Sequence, residues 1–455
     1  MERVTIIGGG LAGSECALQL AARGVPVTLV EQRPIAQSPA HHTDRFAELV
    51  CSNSLKATRP DSAAGLLKQE LDAMGCRLLG IARECAVPAG GALAVDRDRF
   101  SAAVTEAVER EELITVDRRE ATELPEGYVV VAAGPLCSEA LFQSLAERVG
   151  GDHLSFFDAA APIVEADSLD RSVIFEQSRY EDEGTGDYLN CPMDKAEYEE
   201  FYEALVAADR VISRDFEQRD LFQACQPVEE IARKGVDALR FGALKPVGLV
   251  DPRTGHRPWA AVQLRAENAE RTAYNLVGFQ TNLTWGEQAR VFRLIPGLAD
   301  ATFSRYGVMH RNSFVDAPRV LDASFAIPGT TIRLAGQITG TEGYVEAIAS
   351  GLFAAVNTYA DLTGKQRLTL PRTSAFGALV SYATNPETKP YQPMHVNFGI
   401  LPPLEGKRRS KRDRYAAYAA RARADLREEL TKRGELFEEL NLAALDEAAT
   451  DGAAE

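Results

Sequence analysis

The sequence is poor in several features that define other classes of protein. It has seven cysteines, an odd number without any C-x-x-C pair, at Cys16, Cys51, Cys76, Cys85, Cys137, Cys191 and Cys225. This pattern excludes a disulfide framework, and with no H-E-x-x-H motif no metal site is expected. No apolar run reaches the ~18 residues that a membrane span needs, and the first strand begins too early to leave room for a signal peptide. We therefore expect a soluble, cytoplasmic protein that does not bind membranes.

Positive charge is also scarce. The 455 residues include 50 Lys and Arg against 66 Asp and Glu, which gives a net charge of −16. Phosphate binding draws on Lys and Arg, so this balance argues against a general affinity for nucleic acid over the whole surface. Any nucleic-acid partner must use a local basic patch. The length is sufficient for two or more domains with an ample core.

The start of the sequence carries a glycine-rich turn. An apolar, β-branched run over residues 4–7 precedes Gly8-Gly9-Gly10-Leu11-Ala12-Gly13, and residues 14–23 then place apolar side chains at helical spacing. This is G-x-G-x-x-G between a strand and a helix. Gly8 allows the tight turn, Gly10 lets the backbone approach a pyrophosphate, and Gly13 lets helix and strand pack closely. The helix N-terminus then presents free N–H groups to the anion.

An acidic residue follows at the spacing that this motif requires. A second strand over residues 27–30 ends in Glu31, roughly 20 residues past the glycines, where a carboxylate binds ribose hydroxyls. A glycine-rich turn in an α/β domain without a ligand would have no use for Glu31. The sequence therefore predicts a dinucleotide site.

The same fold resumes late in the chain. Residues 128–133 form a short apolar strand closed by Gly134, and residues 331–335 form another, ended by Gly336-Gln337. Thr341-Glu342-Gly343 then begins a long helix, whose N-terminus is well placed to face the ribityl and ring oxygens of a flavin. No second G-x-G-x-x-G is present, so the separate NADPH domain of disulfide reductases is not expected.

The middle of the chain reads as an insertion of different character. Helices are predicted over residues 192–208 and 215–233, and strands over 259–265 and 272–280. We predict an α/β fold with a discontinuous, Rossmann-like dinucleotide domain over residues 1–190 and 310–405. A smaller α+β insertion domain covers residues 191–309. Residues 406–455 hold a basic run, a helix and an acidic tail.

Two further features are candidates for function. Cys51 follows the nucleotide-binding unit beside small hydrogen-bonding residues, whereas an ordinary cysteine is a small buried hydrophobe. The densest basic run of this acidic chain lies near its end. RNA contact is predicted at Lys407, Arg408, Arg409, Lys411 and Arg412, with Lys245 and Arg253 in the insertion; a solvated helix start is the alternative for the run.

Long motifs resemble one family of enzymes. They are Gly8 to Gly13, Thr43 to Leu55, Val87 to Asp96, Tyr188 to Met193, Lys245 to Arg253, Val277 to Thr281 and Tyr306 to Asn312. Together they resemble the folate- and FAD-dependent tRNA (uracil-54-C5)-methyltransferases, TrmFO. The resemblance covers nearly the whole chain up to about residue 405 and weakens after Gly406.

The resemblance implies a complete chemistry. It implies FAD in a glutathione-reductase-type fold, 5,10-methylenetetrahydrofolate as carbon donor, NAD(P)H as electron source and the tRNA T-loop as substrate. The functional cysteines fall on Cys51 and Cys225. Cys225 is assigned as the uracil nucleophile and Cys51 as the thiol beside the flavin, and the reverse assignment stays open. The implied FAD site comprises Gly8, Gly9, Gly10, Leu11, Ala12, Gly13, Glu31, Gly134, Gly336, Gln337, Thr341, Glu342 and Gly343.

Three alternatives remain at the level of sequence. One is the same chemistry on ribosomal RNA, which the sequence does not exclude. A related flavoprotein that modifies the tRNA wobble uridine shares the glycine motif, but the stretch from Cys51 to Ser54 fits it less well. A flavin-binding RNA protein without catalysis would have no reason to keep both Cys51 and Cys225.

Overall fold

The computed structural model describes most of the chain. The described residues are 1–38, 40–150, 153–159, 161–180, 186–211, 226–268, 270–307, 309–389, 391–406 and 410–446, and for 153–159 and 309–312 only the backbone is described. The predicted residues Cys225, Lys407, Arg408 and Arg409 lie outside these ranges. Among the described helices, none is long and apolar enough to cross a membrane.

The described residues form sixteen strands and twelve α-helices. The strands are Val4–Ile7 (β1), Val27–Glu31 (β2), Ser54–Ala57 (β3), Ala86–Val87 (β4), Ala92–Val95 (β5), Ile114–Arg118 (β6), Tyr128–Val131 (β7), His153–Ala159 (β8), Ile163–Glu165 (β9), Phe175–Glu176 (β10), Tyr188–Met193 (β11), Ala260–Ala266 (β12), Ala273–Leu276 (β13), Phe303–Arg305 (β14), Met309–Val315 (β15) and Ile332–Leu334 (β16). The helices are Leu11–Ala22 (α1), Ala63–Ala73 (α2), Arg77–Glu84 (α3), Arg97–Arg110 (α4), Glu139–Val149 (α5), Lys195–Ala207 (α6), Val228–Ala232 (α7), Trp285–Phe292 (α8), Ala317–Val320 (α9), Tyr344–Leu362 (α10), Ala375–Thr384 (α11) and Lys411–Lys432 (α12).

A five-stranded parallel sheet forms the part of the chain that carries the glycine turn. Its order is β16-β7-β1-β2-β6, and every neighbouring pair runs parallel. Strands buried on both faces need helices on both sides, which explains why β1, β2 and β7 consist mainly of apolar and β-branched residues. The late strand β16 pairs with β7 through Ile332 and Val129, so the return of the chain to the first sheet is confirmed.

Helices α1 and α10 pack against each other beside this sheet. Both are buried along most of their length, from Leu11 to Ala21 and from Val345 to Ala360. Their small and apolar residues join the sheet in one continuous hydrophobic core. This packing brings the N-terminus of α10 to the same edge of the sheet as the N-terminus of α1, although the two are more than three hundred residues apart in sequence.

A six-stranded antiparallel sheet organises the middle of the chain. Its order is β10-β11-β12-β13-β9-β14, and it has its own core, which includes Phe201, Val262 and Phe279. Because β9 and β10 precede residue 191, this sheet extends beyond the predicted boundary of the insertion. The division into domains otherwise stays a prediction.

Two predicted elements of the insertion differ from the structure. The helix predicted from residue 192 begins only at Lys195, because Pro192 and Met193 pair with β12 and Asp194 caps the helix together with Glu197. The helix predicted over 215–233 is seen only as α7, directly after Pro227, and the part before it lies outside the described residues. Strand pairing delays the start of α6, and Pro227 directly precedes the start of α7.

Candidate active site

The glycine turn forms one wall of a long cleft at the carboxyl edge of the parallel sheet. Gly8 has a φ of +106°, and a Cβ on it would lie 2.5 Å from the Ala132 carbonyl oxygen. A Cβ on Gly13 would lie 1.8 Å from the carbonyl oxygen of Gly8, so strand and helix meet there without room for a side chain. At Gly10 a Cβ would meet no atom within 4 Å. The backbone at Gly10 therefore borders open space that a ligand can occupy.

Glu31 fixes this wall from the end of β2. One carboxylate oxygen accepts the Gly9 N–H at 2.8 Å, and the other accepts the Arg33 Nε–H at 2.9 Å and the Arg33 N–H at 3.0 Å. Burial raises the pKa of Glu31, but hydrogen bonds and charge from Arg33 outweigh burial and hold the pKa below its usual range. Glu31 therefore stays ionised at the position where a ribose hydroxyl could donate to it.

The loop after β2 lines the same cleft. Arg33 also pairs with Glu48 at 3.2 Å, and Glu48 accepts N–H groups from His42 and Thr43 at 2.9 and 3.0 Å. His41 lines the cleft, where burial and the positive charge of Arg33 lower its pKa to about 4. The imidazole is therefore neutral at pH 7, and it acts as a hydrogen-bonding group without charge.

Most of the predicted cofactor residues line the cleft. Its empty volume, counted with the solvent at its mouth, is about 1120 Å³. Of the predicted positions, Gly8, Gly10, Leu11, Ala12, Glu31, Gly134, Gly336 and Gln337 line it. The other five do not. Gly9 and Gly13 support the turn from behind; Thr341 and Glu342 are buried, and Glu342 accepts a hydrogen bond from Gln337 at 2.8 Å. Gly343 directly precedes Tyr344, which does line the cleft.

Cys51 lies in the same cleft as the glycine turn. Its backbone N–H donates to the Tyr344 hydroxyl at 2.8 Å, and the Ser52 N–H donates to the same oxygen at 3.1 Å. Burial raises the pKa of the Tyr344 hydroxyl well above its ordinary value, so this acceptor stays neutral. The first residue of α10 therefore positions the cysteine loop, a role that the sequence did not reveal.

Two arginines hold the residues before Cys51. Arg97 donates to the Leu49 carbonyl at 2.9 Å, and Arg305 donates to the Val50 carbonyl. Burial, together with the positive charge of Arg97, lowers the pKa of Arg305. Glu267 lies 2.5 Å from the Arg97 Nε and balances one of the two charges. The two arginines thus fix the main chain of the residues that directly precede Cys51.

The Ser-Asn pair after Cys51 ties the loop to the antiparallel sheet. Arg265 of β12 donates to the Asn53 side-chain oxygen at 2.8 Å and to the Ser52 hydroxyl at 2.9 Å. The Asn53 amide donates in turn to the carbonyls of Val95 and Ala266 at 3.1 and 2.9 Å. These hydrogen bonds explain why small polar residues follow Cys51, since Arg265 bonds the side chains of both Ser52 and Asn53 to the six-stranded sheet.

The predicted RNA residues are spread over two surfaces. Lys411 and Arg412 are exposed at the start of α12, where the Lys411 ammonium lies 5.3 Å from the centre of the Tyr415 ring. Lys245 and Arg253 are exposed on the antiparallel-sheet side, and Arg253 is paired with Asp251 at 2.8 Å. Phe398 packs against both Tyr415 and Tyr418, with ring centres 4.6 and 5.6 Å apart.

Two solved structures share this architecture. GidA of Aquifex aeolicus, in two crystal forms, superposes with TM-scores of 0.68 and 0.69 at 16% identity, covering 97% of this chain and 74% and 77% of those chains. The fold and its cleft define the protein as an α/β protein with a Rossmann-like parallel sheet, similar in architecture to GidA. The family model for glucose inhibited division protein A matches residues 3–366.

Closer relatives define the family. A methylenetetrahydrofolate--tRNA-(uracil-5-)-methyltransferase TrmFO from Synechococcus sp. (strain JA-3-3Ab) is 54% identical over 427 residues, 93% of this chain and 94% of its own. The protein of the same name from Thermosynechococcus vestitus is 53% identical over 458 residues and covers 100% of both chains. The chain belongs to the TrmFO family of methylenetetrahydrofolate–tRNA-(uracil-5-)-methyltransferases.

Proposed function

We propose that this protein methylates C5 of uridine 54 in the tRNA T-loop, with FAD as cofactor, methylenetetrahydrofolate as carbon donor and NAD(P)H as electron source. The observation that carries the proposal is the position of Cys51, which lines the same cleft as the glycine turn and Glu31. A thiol beside a dinucleotide site suits chemistry that joins nucleophilic and redox steps. Membership of the TrmFO family supports the substrate and the donor.

The residues around the cleft fit FAD. Gly10 leaves room for a pyrophosphate, the N-terminus of α1 points its N–H groups at that space, and the ionised Glu31 lines the same cleft. Gly336 and Gln337 extend the lining towards the N-terminus of α10. Bound there, FAD would supply the hydride that converts a methylene group to a methyl group.

The chain's own groups would perform the remaining steps. Uracil C5 becomes nucleophilic only after a thiolate adds to C6, and the resulting enolate then attacks the methylene carbon of the folate. A base removes the C5 proton as the bond between the methylene carbon and the folate nitrogen breaks, which releases tetrahydrofolate and leaves an exocyclic methylene on C5. Once a hydride has been added to this methylene, the thiolate leaves C6 as the C5–C6 double bond forms again. We assign Cys225 to the attack on C6 and Cys51 to the thiol beside the flavin.

Isotope transfer tests this proposal directly. With purified protein, tRNA, FAD and NADPH, we expect label from the methylene carbon of methylenetetrahydrofolate to appear in the methyl group of 5-methyluridine. Label from the methyl group of S-adenosylmethionine should not appear, because no second nucleotide fingerprint is present in the sequence. Label from S-adenosylmethionine in the product would refute the donor assignment.

The position of the methylated uridine needs a second measurement. Mass mapping of tRNA and ribosomal RNA from a strain that lacks the protein should show loss of T-loop 5-methyluridine alone. Loss at a ribosomal position, or at the wobble uridine, would assign the protein to one of those substrates in place of the T-loop.

We expect the basic run that leads into α12 to bind the RNA backbone. We expect the double variant Lys411→Gln, Arg412→Gln to bind tRNA more weakly, with the slope of log Kd against log salt reduced by about one for each lost phosphate contact. Reduction of FAD by NADPH should not change. Binding titrations over a salt series measure both quantities.

Lys432 provides the control. It lies on the last turn of the same helix and pairs with Glu428 at 2.5 Å, so Lys432→Gln removes one positive charge far from the basic run. An equal loss of affinity in both variants would indicate a general charge effect. An unchanged slope in the double variant would place the RNA surface elsewhere, with Lys245 and Arg253 as the next residues to replace.

A further inference from the structure

Three aromatic rings form a parallel ladder from the core of the antiparallel-sheet region to the surface. The rings of Phe303 and Tyr306 lie 5.3 Å apart at an angle of 16°, and those of Tyr306 and Trp285 lie 5.9 Å apart at 17°. Phe303 contacts the buried Phe292 at the inner end. Trp285, the outer member of this aromatic ladder, is 63% exposed. The ladder therefore ends in an indole with most of its surface open to a partner.

The ladder is held rigidly by hydrogen bonds. Trp285 is the first residue of α8, whose N-terminus is capped by the Thr284 side chain. The buried Gln288 amide donates to the carbonyls of Leu283 and Gly307 at 2.8 and 2.9 Å and accepts the Gly307 N–H at 2.7 Å. The turn that carries Trp285 and the loop that carries Tyr306 are therefore joined through one side chain. Such a ring keeps its orientation without a ligand, which lowers the entropy lost on binding.

The ladder adjoins the cysteine loop. Arg305 lies between Phe303 and Tyr306 in sequence and donates to the carbonyl of Val50, the residue before Cys51. Gln280 lies five residues before Trp285, and its carbonyl oxygen accepts the Val228 N–H at 2.7 Å. The segment before α8 is therefore bonded to the start of α7. The exposed indole is thus connected by a short path to the cleft that contains Cys51.

The geometry points to a planar, aromatic partner. A ring that continues a parallel ladder would stack on the open face of Trp285 in the way that Tyr306 stacks on its inner face. Unpaired nucleotide bases stack on aromatic side chains in this manner, and the stacking tolerates any base. Next to Trp285 along α8, the exposed residues are Gly286 and Arg290, and neither adds the apolar surface that forms the core of a protein–protein interface.

We propose that Trp285 is a stacking platform for an unpaired base of the RNA substrate, a neighbour of the uridine that enters the cleft. This inference rests on the proposed function, since it takes the RNA substrate from there. A base that leaves its loop must lose stacking with its neighbours, and a platform beside the cleft restores part of that loss for the neighbouring base. The platform would hold the loop open while the target uridine is in the cleft.

Tryptophan fluorescence can report on the platform. The sequence contains two tryptophans, Trp259 and Trp285, so Trp259→Phe leaves Trp285 as the only indole. With this FAD-loaded variant, we expect an RNA hairpin that copies the T arm to quench the emission as it binds. A hairpin with abasic sites on both sides of the target uridine should bind through its phosphates and quench much less.

Affinity provides the second measurement. We expect Trp285→Leu to raise the Kd for the T-arm hairpin about tenfold to a hundredfold, and Trp285→Phe to raise it less, because a smaller ring still stacks. Trp259→Leu is the matched control, since Trp259 is also partly exposed but packs under Arg240 at 3.7 Å. FAD content and NADPH oxidation should equal the wild-type values in all three variants.

The outcomes separate this inference from the proposed function. If the wild-type protein transfers the folate label to tRNA but Trp285→Leu binds the hairpin as tightly as wild type, only the platform is wrong. Equal quenching by the abasic hairpin would also overturn the platform. Unchanged RNA affinity together with Trp285-dependent binding of another protein would assign this surface to a protein partner and overturn it too. Failure of label transfer by the wild-type protein would refute the proposed function whatever Trp285 does.

Discussion

Replacing Gly10 with leucine is expected to give a colourless protein that still folds. Gly10 has φ −74° and ψ −167°, which any residue can adopt, and a Cβ there meets no protein atom within 4 Å. The leucine side chain would instead extend into the cleft, at the N-terminus of α1 where a pyrophosphate must approach the backbone. FAD content should therefore fall from roughly one per chain to near zero. The absorbance of flavin in the purified variant measures this content.

Gly80 provides the matched control for this variant. It lies in the exposed face of α3, and a Cβ there also meets nothing within 4 Å. Gly80→Leu should retain FAD and the yellow colour. Circular dichroism on heating should show both variants folded, so that loss of colour is separated from loss of structure. A Gly10→Leu protein with a full complement of FAD would overturn the assignment of the cofactor to this cleft.

Removing either predicted cysteine should abolish methyl transfer while leaving tRNA binding intact. We expect Cys51→Ala and Cys225→Ala each to lose activity on the order of a thousandfold or more, because residues that act in one covalent sequence of steps cannot replace each other. Affinity for tRNA should stay near wild type, since a thiol contributes little to phosphate binding. Folate label in tRNA measures the first quantity, and a binding titration measures the second.

The contacts of the cysteine loop make Cys51→Ala a clean variant. Arg97, Arg305 and Tyr344 all bind main-chain atoms of residues 49–52, so these hydrogen bonds persist when the thiol is removed. Cys76→Ala is the control, a half-buried cysteine at the start of α3 and outside the cleft. Wild-type methylation in both Cys51→Ala and Cys225→Ala would disprove the covalent mechanism, although the family would stand.

Local sequence predicted the nucleotide-binding part well. The strands, the turn and the helices around Gly8, Glu31 and Gly336 lie within a few residues of their predicted bounds. This succeeded because a buried parallel strand, a glycine turn and a long helix each have a distinct local pattern. The insertion was predicted less well. β11 continues through Pro192 and Met193, where pairing with β12 prevails over the helical spacing that follows.

The contacts around the cysteine loop were beyond sequence reasoning. Arg97 lies at the start of α4, Arg305 in β14 and Tyr344 at the start of α10. Nothing in the sequence links any of them to Cys51. The Tyr344 hydroxyl contacts a backbone amide 293 residues earlier in the chain. Sequence spacing carries no information on such contacts, because they depend on how two sheets and their helices pack together.

The sequence by itself determined the α/β fold, the cleft-lining glycines, the acidic residue of β2 and the family. Each of these depends on a short stretch of sequence whose backbone conformation is set by its own residues. Only the tertiary structure decided which groups surround Cys51, that Thr341 and Glu342 are buried away from the cleft, and that Trp285 is exposed at the end of an aromatic ladder. The exposure and the charge environment of a side chain depend on neighbours that come from distant segments of the chain. They exist only once the segments have packed.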